Sequence, residues 1–475
     1  MVTQYYEHIL CVLFIVSAKD NDYNKIEHTM DILLINPAYV KPKSFSERFG
    51  ESRALIKKGN MYVLPFEPPI GLASIVSSLR QKGIDTRLLD VQGKKMDLHQ
   101  VRLYLLENPS KFVGISAMTT TYPFAIQLAR LVREVLPNSK VIMGGVHPTV
   151  LPNEVLKEEC IDYVFRGEGD VSLPKFILRN TPDSIPGICF KENGKTVISD
   201  KAPLVKNVDS LPMPDYGTFP VDEYVKYNKL LRSLKGISML ISRGCPYDCS
   251  FCAVKETMGR GYRIRSPRLV VEEMRHLKES YGIDGIWFKD SIFNLKREWI
   301  KEFCNELIKS GLEMRWQMNT RVDLIDEKQV AMMADAGLEQ IDLGIESGSP
   351  DTLKTLKKSV DISQIEFAVA VAKRYVNVSG FFMIGVPGET EQDIDMTFDL
   401  ARRLELDRAS WSIFTPLPGS QLYNELKEAG RLPENIDWRH IHFINTDVSY
   451  SEVHHERLME RFWEIQNYFS ECSVE

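Results

Sequence analysis

The sequence predicts an α/β protein built in two main parts. A doubly wound, Rossmann-like sheet occupies residues 30–181, and a partial (βα)6 barrel occupies 236–430, followed by a small C-terminal helical segment over 431–475. Three observations carry this. Short runs rich in Val, Ile and Leu alternate with helical stretches from 30 to 180, the pattern of a parallel sheet covered on both faces. Pro182, Pro186, Pro203, Pro212, Pro214 and Pro220 then interrupt the alternation over 182–235. Six further strand–helix units follow, two short of a closed eight-stranded barrel.

In the first part, strands are expected over Asp31–Asn36, Asp85–Asp90, Phe112–Ser116, Lys140–Met143 and Asp162–Phe165. Helices over Gly71–Gln81 and Tyr122–Leu136 connect them; Ala125, Leu128, Ala129 and Val132 recur at helical spacing. A sheet of this kind binds its ligand at the carboxyl ends of its strands. The proline-rich stretch reads as a linker with one β-hairpin turning at Asn193–Gly194. Barrel strands are expected over 237–242, 284–289, 313–319, 340–345, 378–384 and 409–414, with Val270, Met274, Leu277 and Tyr281 forming one helical face. In the last segment Leu458, Phe462, Ile465 and Phe469 share one side of a helix.

Composition narrows the class. Of 475 residues, 44% are hydrophobic and 26% charged, which is ordinary for a globular chain and excludes disorder and collagen. The net charge of −6, with no basic block, argues against a nucleic-acid binder held by phosphate neutralisation. Eight cysteines are too few for a secreted disulfide framework, so a reducing, cytoplasmic setting is expected. Residues 1–29 read as an N-terminal extension, an extra strand or an upstream start, with the functional protein beginning near Met30. The apolar stretch Ile9–Ala18 is about half a membrane span, so no stable span is expected.

Cys245, Cys249 and Cys252 stand in RGCPYDCSFC, directly after the first barrel strand. Tetrahedral structural zinc takes four ligands, and no His or Cys stands nearby at the usual spacing to supply the fourth. Three thiolates on a four-iron cluster leave one iron free of protein ligands, open to another molecule. The spacing therefore favours an iron–sulfur site over zinc. Cys304 shares an apolar helical face with Ile300, Phe303 and Leu307 and reads as core. Cys11, Cys160 and Cys189 are isolated, and Cys472 lies in the tail.

At the cysteine trio the chain resembles the radical S-adenosylmethionine (SAM) superfamily, whose signature is C-x3-C-x2-C on the loop after strand one. The resemblance implies a [4Fe-4S] cluster on Cys245, Cys249 and Cys252, with SAM chelating the open iron and cleaved reductively to a 5′-deoxyadenosyl radical. It also implies SAM contacts: Phe251 beside adenine, Asp290 at the amino group, Arg321 and Glu346 after strands three and four, and Gly385 where backbone approaches the adenosine. The alternative for each is a helix cap, a turn or loop packing. Arg263 and Arg265, in YRIRSP, are candidates to meet a carboxylate, with a solvated ion pair the favoured reading.

The sheet at 30–181 resembles cobalamin-binding domains. Ser116–Ala117–Met118 is similar to that family's S-x-L element, Gly144–Gly145 to its paired glycines, and GGVHPT and RGEGD to the version fused to radical SAM barrels. The resemblance implies cobalamin contacts at Ser116, Met118, Gly144, Gly145, His147 and Gly167, with His147 either packing on backbone or meeting the cofactor edge. Small residues and paired glycines let backbone approach a bulky planar group. DLHQVR lacks the glycine of the lower axial histidine motif and follows the wrong strand, so cobalt without a protein imidazole is expected and His99 reads as a surface residue.

Together the resemblances imply a cobalamin-dependent radical SAM enzyme, a methyltransferase moving a methyl group from methylcobalamin to an unactivated carbon. A Mg-protoporphyrin ester cyclase or other oxidoreductase of the same group is the alternative. A tRNA methylthiotransferase is disfavoured, because its second cysteine trio and basic RNA-binding module are not visible, and a non-enzymatic cobalamin sensor is disfavoured by the intact trio. The expected partners are a small-molecule, lipid-like or natural-product substrate and a low-potential electron donor such as flavodoxin or ferredoxin. Trp438, His440, His442, Phe443, His454 and His455 are candidates to close over substrate, with a solvated helix start favoured for the last two.

Overall fold

The computed structural model describes residues 29–38, 66–227, 235–434, 436–438 and 448–472. The expectations for residues 1–28, for the loop after Ala38, and for His440, His442 and Phe443 lie outside them.

The first sheet has strands β1 (Met30–Asn36), β2 (Thr86–Asp90), β3 (Ser110–Ser116), β4 (Lys140–Gly144), β5 (Tyr163–Phe165), β6 (Ile188–Glu192) and β7 (Lys195–Val197). Their spatial order is β2-β1-β3-β4-β5-β6-β7, and the first five are parallel. Order 2-1-3-4-5 is a doubly wound sheet whose direction switches between β1 and β3, opening a crevice at their carboxyl ends. On β1, Ile32 and Leu34 enter one apolar cluster while Leu33 and Ile35 enter another, so both faces are covered. The hairpin β6–β7 is not an isolated piece of linker: β6 pairs antiparallel with β5, through Tyr163–Phe190 and Phe165–Ile188, and extends this sheet. Asn193 and Gly194 both take positive φ, as a two-residue hairpin turn requires.

The second sheet orders β8 (Gly236–Met239), β11 (Gly285–Phe288), β12 (Arg315–Arg321), β13 (Leu338–Glu346), β14 (Asn377–Ile384) and β15 (Arg408–Ile413) as six consecutive parallel neighbours. All six expected strands are present. The helix Pro267–Tyr281 shows how the sequence punctuates them: Pro267 stands in its first turn, Gly282 caps it in the left-handed conformation, and Val270, Met274 and Leu277 are buried. The first barrel strand is shorter than its apolar run suggests. It ends at Met239, and a separate antiparallel ribbon of β9 (Ser242–Arg243) and β10 (Arg263–Ile264) follows. The buried Asp290 carboxylate, which accepts from Ile241 N and Ser242 N, draws the chain out of the sheet there. The C-terminal helix His455–Cys472 lays Leu458, Phe462 and Ile465 on the barrel core.

Candidate active site

A cavity of about 440 Å³ lies between the carboxyl ends of the first sheet and the exit of β8. The first sheet contributes Asn36, Ser116, Met118, Gly144 and Gly145, the loop after β5 contributes Gly167 to Asp170, and the barrel contributes Leu240 to Arg243. Gly145 has φ +102°, and a Cβ there would stand 2.7 Å from Ala117 O and 2.9 Å from Ala117 N. Only glycine lets β3 and β4 exit this close together. The Thr149 hydroxyl ties the lip, donating to Gly145 O at 2.7 Å and accepting from Gly167 N at 3.0 Å.

The three cysteines sit on the loop 244–262, which hangs from the β9–β10 ribbon. Cys245 N donates to Gly259 O at 3.2 Å and Cys252 N to Cys249 O at 3.1 Å. Between them, fully buried Ser250 pins the loop to the barrel: its N donates to Leu356 O at 3.1 Å and its hydroxyl to Thr355 O at 2.7 Å. All three thiols are half-buried. The Arg321 guanidinium approaches Cys249 Sγ at 3.5 Å, is anchored by Asp323 at 2.8 Å, and lies 3.8 Å from the centre of the Tyr247 ring.

The other barrel candidates surround this loop in different ways. Asp290 is buried and accepts from Ile241 N, Ser242 N and Ser242 Oγ; burial outweighs these bonds and pushes its carboxyl up to about 7. Glu346 takes φ +70° and pairs with Lys358 Nζ at 2.8 Å. Phe251 packs on a cluster containing Leu356, Val386 and Phe414. Gly385, at φ +82°, donates its N–H to buried Glu389, whose carboxyl burial pushes up to about 8.

Comparison with known proteins places this geometry. Residues 239–401 match the model of the Radical SAM superfamily, and residues 62–177 match the B12 binding domain. An uncharacterized methyltransferase of Pyrococcus horikoshii is 32% identical over 381 residues, covering 78% of this chain and 81% of the relative. The chain belongs to the B12-binding radical SAM family. An anaerobic magnesium-protoporphyrin IX monomethyl ester cyclase of Cereibacter sphaeroides is 28% identical over 76% of this chain, which spans 60% of that relative. Among solved structures, the radical SAM methyltransferase TsrM of Kitasatospora setae superimposes with TM-score 0.68 at 19% identity, covering 84% of this chain and 74% of the other. At that identity the likeness shows the fold.

This B12-binding radical SAM protein accordingly uses a [4Fe-4S] cluster, SAM and cobalamin. Its residues fit them. Among the described residues no three His, Cys, Asp or Glu side chains converge as a single metal ion requires. A cubane spreads its ligands, one thiolate to each of three irons, so this loop suits a cluster better than one zinc. The glycine-lipped cavity between the two sheets suits a large planar cofactor held by backbone.

Ser116, Met118, Gly144, Gly145 and Gly167 are brought together around the cavity; His147 is not. It is fully buried, stacks on Tyr122 with ring centres 4.1 Å apart, meets Trp438 edge-on, and approaches Thr119 Oγ1 at 3.3 Å. Burial lowers its pKa to about 3. Its packing role, and that of Trp438, follows from the C-terminal segment folding back on the first domain. Arg263 and Arg265 depart from the expectation of solvated pairs. Arg265 is buried against Glu273, and Arg263 binds Glu168 Oε1 at 2.7 Å. Arg263 is covered by Glu168 of the first domain, whereas Arg265, just past the ribbon, is covered by Glu273 of the helix Pro267–Tyr281. Cys304 is fully buried, as its helical face indicates, His99 is exposed, His454 is exposed and His455 half-buried.

Sequence reasoning missed three polar contacts. Arg243, beside the cysteine motif, makes a two-pronged bond to Asp170 at 2.7 and 3.0 Å. Glu67 crosses from the first domain to Lys289 Nζ at 2.9 Å, where burial lowers the lysine to about 8. Lys358 neutralises Glu346. The only signal for the first was the adjacency of acids in RGEGD and of arginine in RGC; the others have none.

Proposed function

We propose that the protein is a cobalamin-dependent methyltransferase acting on an unactivated carbon. The observation that carries this reading is the shared cavity: its walls come both from the carboxyl edge of the first sheet and from the strand exit that leads into the cysteine loop. A substrate held there is within reach of both cofactor sites. Bound, the cofactors supply electron transfer, hydrogen abstraction and a transferable methyl group; the chain supplies position and dryness.

Cys245, Cys249 and Cys252 hold the cluster, and Arg321 donates to Cys249 Sγ beside it. Phe251, packed on Leu356 and Phe414, excludes water beside the loop. Asp290, Glu346 and the Gly385 backbone stand at the exits of their strands, and on this reading they contact SAM. Ser116, Met118, Gly144, Gly145 and Gly167 form the corrin seat. Arrangements with a single nucleophile and base are not needed, because no step asks a side chain to form a covalent bond. Relatives named as methyltransferases also include the cytidylyl-2-hydroxyethylphosphonate methyltransferase of Streptomyces wedmorensis, 25% identical over 76% of this chain. A flavodoxin- or ferredoxin-class donor supplies the electron.

The test uses anaerobically reconstituted protein with cluster, SAM and chemically reduced cobalamin. Release of S-adenosylhomocysteine together with methylcobalamin supports methyl transfer. Deoxyadenosine formation without any S-adenosylhomocysteine overturns it in favour of cyclase-type oxidation.

A further inference from the structure

Four charged side chains, the two acids buried and the two arginines partly so, form an alternating chain across the two domains. Asp170 Oδ2 and Oδ1 hold Arg243 at 2.7 and 3.0 Å, Arg243 lies 3.6 Å from Glu168, and Glu168 holds Arg263 at 2.7 Å. Both acids belong to the first domain, at the start of the helix Gly169–Arg179; both arginines belong to the barrel. Side-chain exposure is 4% for Asp170, 7% for Glu168, 10% for Arg263 and 23% for Arg243. Further bonds fix the acids from behind: Ser74 Oγ donates to Asp170 at 2.7 Å and Val205 N to Glu168 at 2.7 Å.

The two arginines are not independent. They are directly paired residues of the β9–β10 ribbon, Arg243 opposite Arg263, and the loop between them is the one that carries the cysteines. The neck of that loop is closed, since a Cβ on Gly244 would strike Gly261 O. At the other end, Glu168 and Asp170 line the cavity beside Gly167 and Gly145. One largely buried, hydrogen-bonded unit therefore joins the neck of the cluster loop to the rim of the corrin seat. Two long, partly solvated lysines could balance the same charge, but only planar forks fix two directions at once.

We propose that the Asp170–Arg243–Glu168–Arg263 chain is the positioning device that sets the distance between the iron–sulfur cluster and cobalt. Its residues act through the loop and the seat. The inference rests on the two cofactor sites and not on methyl transfer, so it survives if the reaction is an oxidation instead.

The experiment compares wild type with Asp170→Asn, Arg243→Lys and Asp170→Glu, each loaded with cluster and cobalamin. The readout is the spin–spin interaction between the reduced cluster and cob(II)alamin, measured by pulsed electron paramagnetic resonance. Wild type is expected to give one narrow interaction. Asp170→Asn and Arg243→Lys are expected to broaden and weaken it at unchanged circular dichroism. Asp170→Glu, which keeps the charge and lengthens the arm by one methylene, is expected to shift it without broadening; this variant decides the matter where the first two fail to load. A wild-type interaction in loaded Asp170→Glu and in every other variant that loads overturns the proposal. As a control, loss of the exposed Arg130–Glu158 pair leaves the interaction unchanged.

Discussion

Gly145→Ala tests whether the seat depends on backbone conformation. Gly145 stands at φ +102° and ψ −169°, a region essentially confined to glycine, where any side chain costs about 1–3 kcal/mol. The new Cβ would also lie 2.7 Å from the Ala117 oxygen and 2.9 Å from its nitrogen. Backbone atoms cannot swing aside, so overpacking adds about 1–3 kcal/mol. Ala117 N is bonded to Gly144 O, and Ala117 O accepts from His147 N, so relief at residue 145 must move the exits of both β3 and β4. If only about 2 kcal/mol of this falls on the cobalamin-bound conformation, affinity drops about 30-fold. Absorbance titration of the protein with hydroxocobalamin measures the affinity, and urea unfolding measures the stability. Gly144→Ala is the matched control: its Cβ would meet only Phe165 Cβ at 3.7 Å and Phe165 O at 3.9 Å, ordinary contact, so its stability should stay near wild type. Wild-type affinity and unfolding midpoint in Gly145→Ala would refute the reasoning.

Other substitutions probe the remaining parts. Cys249→Ala should remove the cluster, reducing bound iron from about four per chain to background, with loss of the charge-transfer absorption and of SAM cleavage. Glu273→Ala leaves Arg265 buried without its carboxylate and Tyr216 OH without its 2.7 Å acceptor; chemical denaturation should show a loss of about 3–5 kcal/mol. Burial pushes the carboxyls of Asp290 and Glu389 up to about 7 and about 8. The native state then keeps protons that the unfolded chain has released, so their contribution is fully present below about pH 4 and lost as pH rises through about 7 to 8. Glu389→Gln should flatten the upper part of that decline in urea unfolding followed between about pH 5 and 9; an unchanged slope would show that Glu389 is not protonated in the native state.

The fold was legible because its signals are periodic and local. The barrel strands are short apolar runs or apolar–polar alternations between turn residues, and the alternation in β12 leaves Trp316 and Met318 in the helix-side core while Gln317 faces the other way. The cysteine loop was legible for a different reason: its ligands lie within eight residues of sequence, so no tertiary fold is needed to bring them together. The corrin seat was half legible. Gly144–Gly145 announces a close backbone approach, yet His147, two residues on, turns into the aromatic packing of Tyr122 and Trp438, and nothing local distinguishes the two directions. The ion chain was not legible, because Glu168 and Arg263 are 95 residues apart and each alone resembles a surface charge. Burial decides their role, and burial is a property of the interface between domains. This explains why sequence reasoning placed Arg263 in solvent: an arginine in a two-residue ribbon is exposed unless another domain covers it. Here the covering domain is the one that carries the corrin seat, so the residues hardest to find by sequence are those through which the two halves of the site are held in register.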